Sequence, residues 1–251
     1  MAVLIGNNGS NTLTGGPASD VILGLGGADI LRGNGGDDAL LGGAGDDRVF
    51  GGAGDDALTG GTGHDRLFGG NGDDALAAGS GNDILLGGGG NDALAGGEGR
   101  DVLFGGTGRD ALAGGSGDDR LFGDAGNDAL SGGLGRDVLT GGRGDDRFVF
   151  SSTAESVVGA RHDVITDFGQ GAGNNDVLDL RQIDADTTRP GNQAFTFIGD
   201  AAFTGAGQVR AVDVGDDKLV QLDTDGDNAP ESEILLVHGA GLTLTTGDFL
   251  L

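Results

Sequence analysis

The chain has 251 residues, 58 of them glycine, and contains no cysteine, tyrosine or tryptophan. Asp and Glu number 40 against 14 Lys and Arg, a formal charge of −26 that excludes nucleic acid and anionic membranes, whose recognition needs basic patches to displace counterions. The missing cysteines exclude a disulfide framework and a thiolate metal site, and no apolar run is long enough to form a transmembrane segment, so cations are the expected partners.

At the start, Met1-Ala-Val-Leu-Ile5 lacks a charged n-region and meets Gly6 too early for a secretory signal peptide. Export, if it occurs, is expected to use another route. From Gly6 the sequence falls into sixteen consecutive nonapeptides without insertion, ending at Val149. Good copies read Gly42-Gly-Ala-Gly-Asp-Asp-Arg-Val-Phe50 and Gly51-Gly-Ala-Gly-Asp-Asp-Ala-Leu-Thr59. The sixth position is Asp in fifteen copies, from Asp20 to Asp146, and Asn11 in the first; the eighth is apolar in all sixteen. A glycine-rich disordered linker shares this composition, but it would not hold Asp and Leu in phase over so many copies. Collagen needs a period of three.

A second period lies beneath the first. The seventh position alternates between Ala39, Ala57, Ala75, Ala93, Ala111 and Ala129 in one set and Arg48, Arg66, Ile84, Val102, Arg120 and Val138 in the other. Phe50, Phe68, Leu86, Phe104 and Phe122 fill the ninth position of the second set. The structural repeat is therefore 18 residues, two nonapeptides per coil, each a six-residue turn and a three-residue strand. The predicted fold is all-β, a right-handed parallel β-roll over residues 1–149 with successive strands on opposite sides of a flattened coil. Side chains alternate across a strand, so the eighth residue points in and the seventh and ninth point out; eight coils at about 4.8 Å give a rod roughly 38 Å long. Neither sheet buries its inner face alone, and stability comes from stacking.

Turns that reverse the chain at every half coil need backbone conformations open mainly to glycine. The sixth-position aspartates need a different explanation, since two stacked columns of carboxylates repel unless something positive lies between them. A hard divalent cation held by carboxylate and carbonyl oxygens fits, and calcium tolerates such irregular geometry better than magnesium. Two columns of eight turns contain seven gaps each, a ceiling of fourteen ions carrying +28 against the formal −26.

The pattern G-G-x-G-x-D-x-U-x resembles the hemolysin-type calcium-binding repeats of the RTX family over residues 6–149. That resemblance implies ions between turns one coil apart, bound by Asp carboxylates and by carbonyls of the Gly-rich turns. On this chain the carboxylates are Asp29, Asp38, Asp47, Asp56, Asp65, Asp74, Asp83, Asp92, Asp101, Asp110, Asp119, Asp128, Asp137 and Asp146. The carbonyls include those of Gly43, Gly45, Gly52, Gly54, Gly61, Gly63, Gly70, Gly72, Gly97, Gly99, Gly106 and Gly108. Asn11, Pro17-Ala18, Leu25 and Asn34 depart from the pattern, and Ala78 and Asp124 interrupt the glycine pair in two later copies. The first two or three coils are accordingly expected to bind weakly or to act as a cap.

After Phe148 the glycine rhythm stops. Apolar patches at Phe148-Val-Phe150, Val164-Ile165, Val177-Leu-Asp-Leu180, Phe195-Thr-Phe-Ile198, Leu219-Val-Gln-Leu222 and Ile234-Leu-Leu-Val237 predict short strands between Asp, Gly and Asn turns. Several runs, among them Asp145-Asp-Arg-Phe-Val-Phe150, His162-Asp-Val-Ile-Thr-Asp-Phe168, Phe203-Thr-Gly-Ala-Gly-Gln-Val-Arg210 and Asp248-Phe-Leu-Leu251, resemble the C-terminal domain of serralysin-type metalloproteases. The resemblance implies a β-sandwich-like cap over residues 150–251, continuous with the roll. Asp223-Thr-Asp-Gly-Asp-Asn228 fails as an EF-hand, because its sixth residue is Asn228 and its twelfth Ile234. An Asp-rich turn is expected there, with room for a weak cation site. The acidic residue before Phe249-Leu250-Leu251 resembles the uncleaved signal of type I secretion substrates, which makes that secretion machinery an expected partner; an ordinary last strand would read the same.

No H-E-x-x-H surrounds His64, His162 or His238, no G-x-S-x-G elbow is present, and Lys218 completes no phosphate loop. His64 occupies a variable turn position and is expected to be solvated. Acidic pairs such as Asp46-Asp47 read as turn and ligand residues, so the chain is expected to be non-enzymatic. Carboxylate repulsion and a thin core predict an unfolded repeat region without calcium, with folding and binding joined outside the cell. The expected function is that of a secreted calcium-binding structural or interaction module. One alternative is the non-catalytic module of an extracellular enzyme, such as a serralysin-like metalloprotease or an alginate epimerase. Another is surface adhesion or ice binding through the flat Ala39, Ala57, Ala75, Ala93 and Thr59 face, which lacks a regular Thr array. The opposite face, with Phe50, Phe68, Phe104 and Phe122 beside Arg48, Arg66 and Arg120, reads either as a docking surface for a partner or second copy or as rings covered by Arg stems.

Overall fold

A computed structural model describes residues 1–170, 174–237 and 242–251. His238 lies outside these residues. From Val21–Gly26 to Val138–Arg143 each half coil contributes a strand of six residues, such as Arg48–Ala53 or Ala57–Thr62, rather than the three expected. The extra length comes from the first three residues of the following nonapeptide. Within the ladder, Arg48, Val49 and Phe50 pair with Arg66, Leu67 and Phe68, and pairing resumes at Gly52 with Gly70 and Ala53 with Asn71. The turn proper is thus confined to the fourth to sixth positions.

Consecutive strands fall in alternate sheets, one of 11 strands and one of 13, and every pairing within the roll is parallel with an 18-residue offset. The two sheets separate the two sets of nonapeptides: Ala93 pairs with Ala75 and Ala111 in one, and Val102 with Ile84 and Arg120 in the other. This is a parallel β-solenoid of about eight turns. Its interior is a single file of eighth-position side chains, from Ile22 and Leu31 through Leu58, Leu67 and Leu94 to Leu139 and Phe148, all buried. The first position is also buried in the repeating pattern. A Cβ on Gly51 would run into Asp56 Oδ2 and the Gly69 carbonyl oxygen, so glycine there leaves room for the carboxylate of its own turn and the carbonyl of the next coil.

The C-terminal region carries both sheets onward. Arg147–Val149, Val177–Asp179 and Phe249–Leu250 extend the first in parallel. Asp163–Ile165 and Ser232–Leu236 extend the second, which then turns antiparallel through Asp217–Asp223 and Gln208–Val214 and ends on Thr196–Phe197. The mixed sheet fits the expected end cap. Two strands were not among the apolar patches: Gln208–Val214, whose alternation is masked by Arg210 and Asp213, and Phe249–Leu250. Ile165, Leu178, Leu236 and Phe249 continue the interior file, so one core runs the length of the described residues. No helix among them is long and apolar enough to cross a membrane.

Candidate metal centre

The sixth-position aspartates stand in two columns joined by hydrogen bonds at every coil. The amide of Asp47 donates to Oδ1 of Asp65, that of Asp65 to Asp83 and that of Asp83 to Asp101, at 2.7 to 2.8 Å. The second column repeats the pattern through Asp38, Asp56, Asp74 and Asp92. Each carboxylate therefore reaches back into the gap between its own turn and the one before. Its other oxygen has no partner: Oδ2 is buried and unbonded in each of the fourteen aspartates from Asp29 to Asp146. A buried carboxylate oxygen without a donor is costly, and repeating it fourteen times marks a place for a positive ligand.

Carbonyl oxygens line the same gaps. A Cβ added to Gly61 would lie 1.9 Å from the carbonyl oxygen of Gly43, and one on Gly63 would lie 2.3 Å from that of Gly45. The second- and fourth-position carbonyls thus face the next turn, and any side chain there would fill the space they look into. Gly43, Gly45, Gly52, Gly54, Gly61, Gly63, Gly70, Gly72, Gly97, Gly99, Gly106 and Gly108 all hold positive φ. The donor set is oxygen only, anionic and irregular, which fits calcium.

Burial pushes the carboxyls of Asp56, Asp65, Asp74, Asp101 and Asp110 up to about 6 and those of Asp119 and Asp128 up to about 7. The amide donated from the preceding coil opposes the rise, and the neighbouring carboxylates add to it. At the N-terminal end the pattern relaxes. Asp20 accepts from the amides of Gly16 and Ala2, which lower its carboxyl, and Asn11 accepts from Asn7. Leu25, Asn34 and Asp124 hold positive φ without being glycine; of the three, Asp124 is paired with glycine on both sides, Gly106 and Gly142. From Asp29 onward the gaps are regular.

Two features were not legible as functional from the nonapeptide. The fifth position forms an outer ladder of its own: Asp46 accepts from the amide of His64, His64 Nδ1 from Asn82, and Asn82 from Arg100. His64 is exposed, as expected, and also a link in this ladder. Arginine at the fifth position offers no acceptor, so Arg100, Arg109 and Arg136 end runs of it. The signal was present in the repeated Asp, Asn and His of that position. The second feature is that both columns outrun the repeats: Asp137 donates its amide to Asp163 at 2.8 Å, and Asp146 to Asp176 at 2.9 Å. Their motifs, Asp163-Val-Ile165 and Asp176-Val-Leu178, keep the Asp and apolar residue of the nonapeptide without its glycines.

The Asp223–Asn228 segment is the expected turn, with Asp223 accepting from the amides of Gly226 and Asn228. Glu231 joins Asp223 and Asp225 with carboxylate oxygens within 4.8 Å of one another.

A family model described as the RTX calcium-binding nonapeptide repeat matches residues 5–40, 32–67, 68–103, 86–121, 95–130 and 122–151, more than half of the chain. Among solved structures, the chain is similar to the solution structure of the AlgE6R3 subunit of the Azotobacter vinelandii mannuronan C5-epimerase, with 29% identity over 61% of this chain and 78% of that one and a TM-score of 0.41. The AlgE6R2 subunit of the same enzyme is 26% identical over 59% and 88%, also with a TM-score of 0.41. No curated protein sequence matches.

Proposed function

The chain belongs to the RTX calcium-binding nonapeptide repeat family, and from that membership we propose that it is a secreted, non-catalytic module whose roll folds when calcium enters the aspartate columns outside the cell. The observation that carries this reading is the set of buried, unpartnered Oδ2 atoms from Asp29 to Asp146. Calcium bound there would supply the positive charge that lets stacked carboxylates ionise without repelling. The protein's own groups do the rest. Each aspartate ties two coils through Oδ1, and the glycine carbonyls complete an oxygen-lined gap.

Weak individual sites suit this role. Extracellular modules bind calcium at about 10⁻⁴–10⁻³ M, and at ten times the dissociation constant each site adds about 1.4 kcal/mol. About ten such sites add about 14 kcal/mol, the upper end of the roughly 5–15 kcal/mol by which an ordinary domain is stable. In the cytosol the sites would stay empty and the repeats unfolded, a state suited to export through a type I machinery.

A far-UV circular dichroism titration tests this, starting in EGTA with magnesium as control. Calcium alone is expected to produce a cooperative gain of β signal. A roll already folded in EGTA, or an equal response to magnesium, would remove the reading.

A further inference from the structure

The two faces of the roll differ sharply in charge. In the eight strands of the first sheet from Val3–Asn7 to Ala129–Leu134, the one charged residue is Glu98. The eight strands facing them, from Thr12–Thr14 to Val138–Arg143, carry Arg32, Arg48, Arg66, Arg120, Asp124 and Arg143. Outward residues of the first sheet stand in two columns in register. One runs from Val3 through Ala75 to Ala129, the other from Ile5 through Ala77 to Ser131. Only Thr59 and Ser131 among them carry a polar side-chain atom. Arg147, paired with Ala129, ends the uncharged stretch.

Nothing within the described residues covers these columns. Ala75, Ala77, Ala93 and Ala95 are exposed, and Val3 and Ile5, at the N-terminal end of the face, are 60% and 61% exposed. No large apolar residue of the facing roll strands is exposed. Eight strands at about 4.8 Å spacing, each about 20 Å long, make a face of about 750 Å². Monomers rarely leave a contiguous apolar patch larger than a few hundred Å² in water. Two such faces in contact would remove about 1,500 Å² from solvent, inside the roughly 1,200–2,000 Å² of a stable interface.

We propose that a second copy of the chain covers this face, packed sheet on sheet about a two-fold axis. Shape selects that occupant. From Ala57 to Ser131 no residue of the two columns is larger than Thr, so the face offers no protruding anchor and suits a partner that is itself flat. The same face of another copy is flat, nearly uncharged and ruled at the same strand spacing, and a two-fold axis sets identical patch against identical patch. Charge points the same way. In a chain of net charge −26, two copies meet here without opposing their charged ladders, Glu98 alone excepted. The inference goes beyond the calcium reading and needs only that the roll is folded.

The test is sedimentation velocity of the full chain in saturating calcium over a dilution series, with far-UV circular dichroism on the same samples to show that the roll is folded. The parent is expected to sediment as a dimer that dissociates on dilution. Ala77→Lys with Ala95→Lys, neighbours in register near the middle of the face, should raise the dimer dissociation constant by about a hundredfold or more, since each would bury an unpaired charge. Lysine lowers the net negative charge, so the loss cannot come from added repulsion between copies. Phe68→Ser with Phe104→Ser, on the opposite face, is the reference. A dimer that survives the lysines overturns the proposal, and its loss in the Phe pair would move the contact to that face. A folded parent that stays monomeric at every concentration also overturns it and leaves the face to another occupant, such as ice or an unrelated protein. Should the lysine variant fail to fold, Thr59→Lys takes its place: a weaker dimer supports the proposal, and an unchanged one overturns it.

Discussion

At the residue scale, glycine decides where the backbone can stack. Gly61 has a φ of +123°, and a Cβ there would lie 1.9 Å from the Gly43 carbonyl oxygen. Gly61→Ala must therefore push two coils apart as well as strain its own backbone. It should cost about 1–3 kcal/mol or more, read as a lower urea midpoint in saturating calcium. Gly205, whose added Cβ would meet nothing within 4 Å, supplies the comparison. Gly205→Ala should leave the midpoint unchanged or raise it, through a stabilisation of about 0.4–1 kcal/mol. Equal effects of the two substitutions would mean that close stacking is not what selects glycine in the turns.

At the scale of elements, the outward Phe ladder is better ordered than its sequence suggested. Phe50 and Phe68 stack with centroids 4.7 Å apart and planes 4° apart, and Phe104 and Phe122 at 4.9 Å and 9°. Leu86 separates the two pairs in the ladder. The rings are half-buried, and Arg32 rather than Arg48 lies over Phe50, at 5.3 Å. Ring-on-ring contact between coils is thus one source of their burial, worth about 0.5–1.5 kcal/mol per pair beyond area. Phe68→Ala should lower the urea midpoint accordingly, while Leu86→Ala removes burial without breaking a stack. The docking reading makes a separate prediction. Phe68→Ser with Phe104→Ser should change the sedimentation of any self-associating form, and unchanged sedimentation would leave the rings a purely structural role.

Across the whole molecule, the aspartate columns set the response to pH. A carboxyl whose folded pKa is raised stabilises the fold only while protonated. In the calcium-free protein that contribution is complete below about pH 4, the unfolded range, and is lost as pH climbs through about 6 to 7, where Asp56, Asp65, Asp119 and Asp128 ionise. Acid should therefore substitute in part for calcium. In EGTA the β signal is expected to rise as pH falls from about 8 to about 4, whereas a calcium-loaded sample should release ions over the same descent. A flat circular dichroism signal in EGTA across that range would show that repulsion between the columns is not what keeps the calcium-free chain unfolded.

The sequence by itself determined the roll, because a strict period writes the same local structure again at every coil. The 18-residue repeat, the inward file from Ile22 to Phe148 and the fourteen aspartates with unpartnered oxygens all follow from one phase. Only the tertiary structure decided what happens where that phase breaks. Asp163 and Asp176 rejoin the columns after detours of 26 and 30 residues, and no periodic count would place them there. Glu231 joins Asp223 and Asp225 only because the chain turns back between the strands Asp217–Asp223 and Ser232–Leu236. In the repeats each residue's neighbours are set by a fixed offset along the chain. Past residue 149 they are set by how strands of unequal spacing share one core, a choice made by packing in three dimensions.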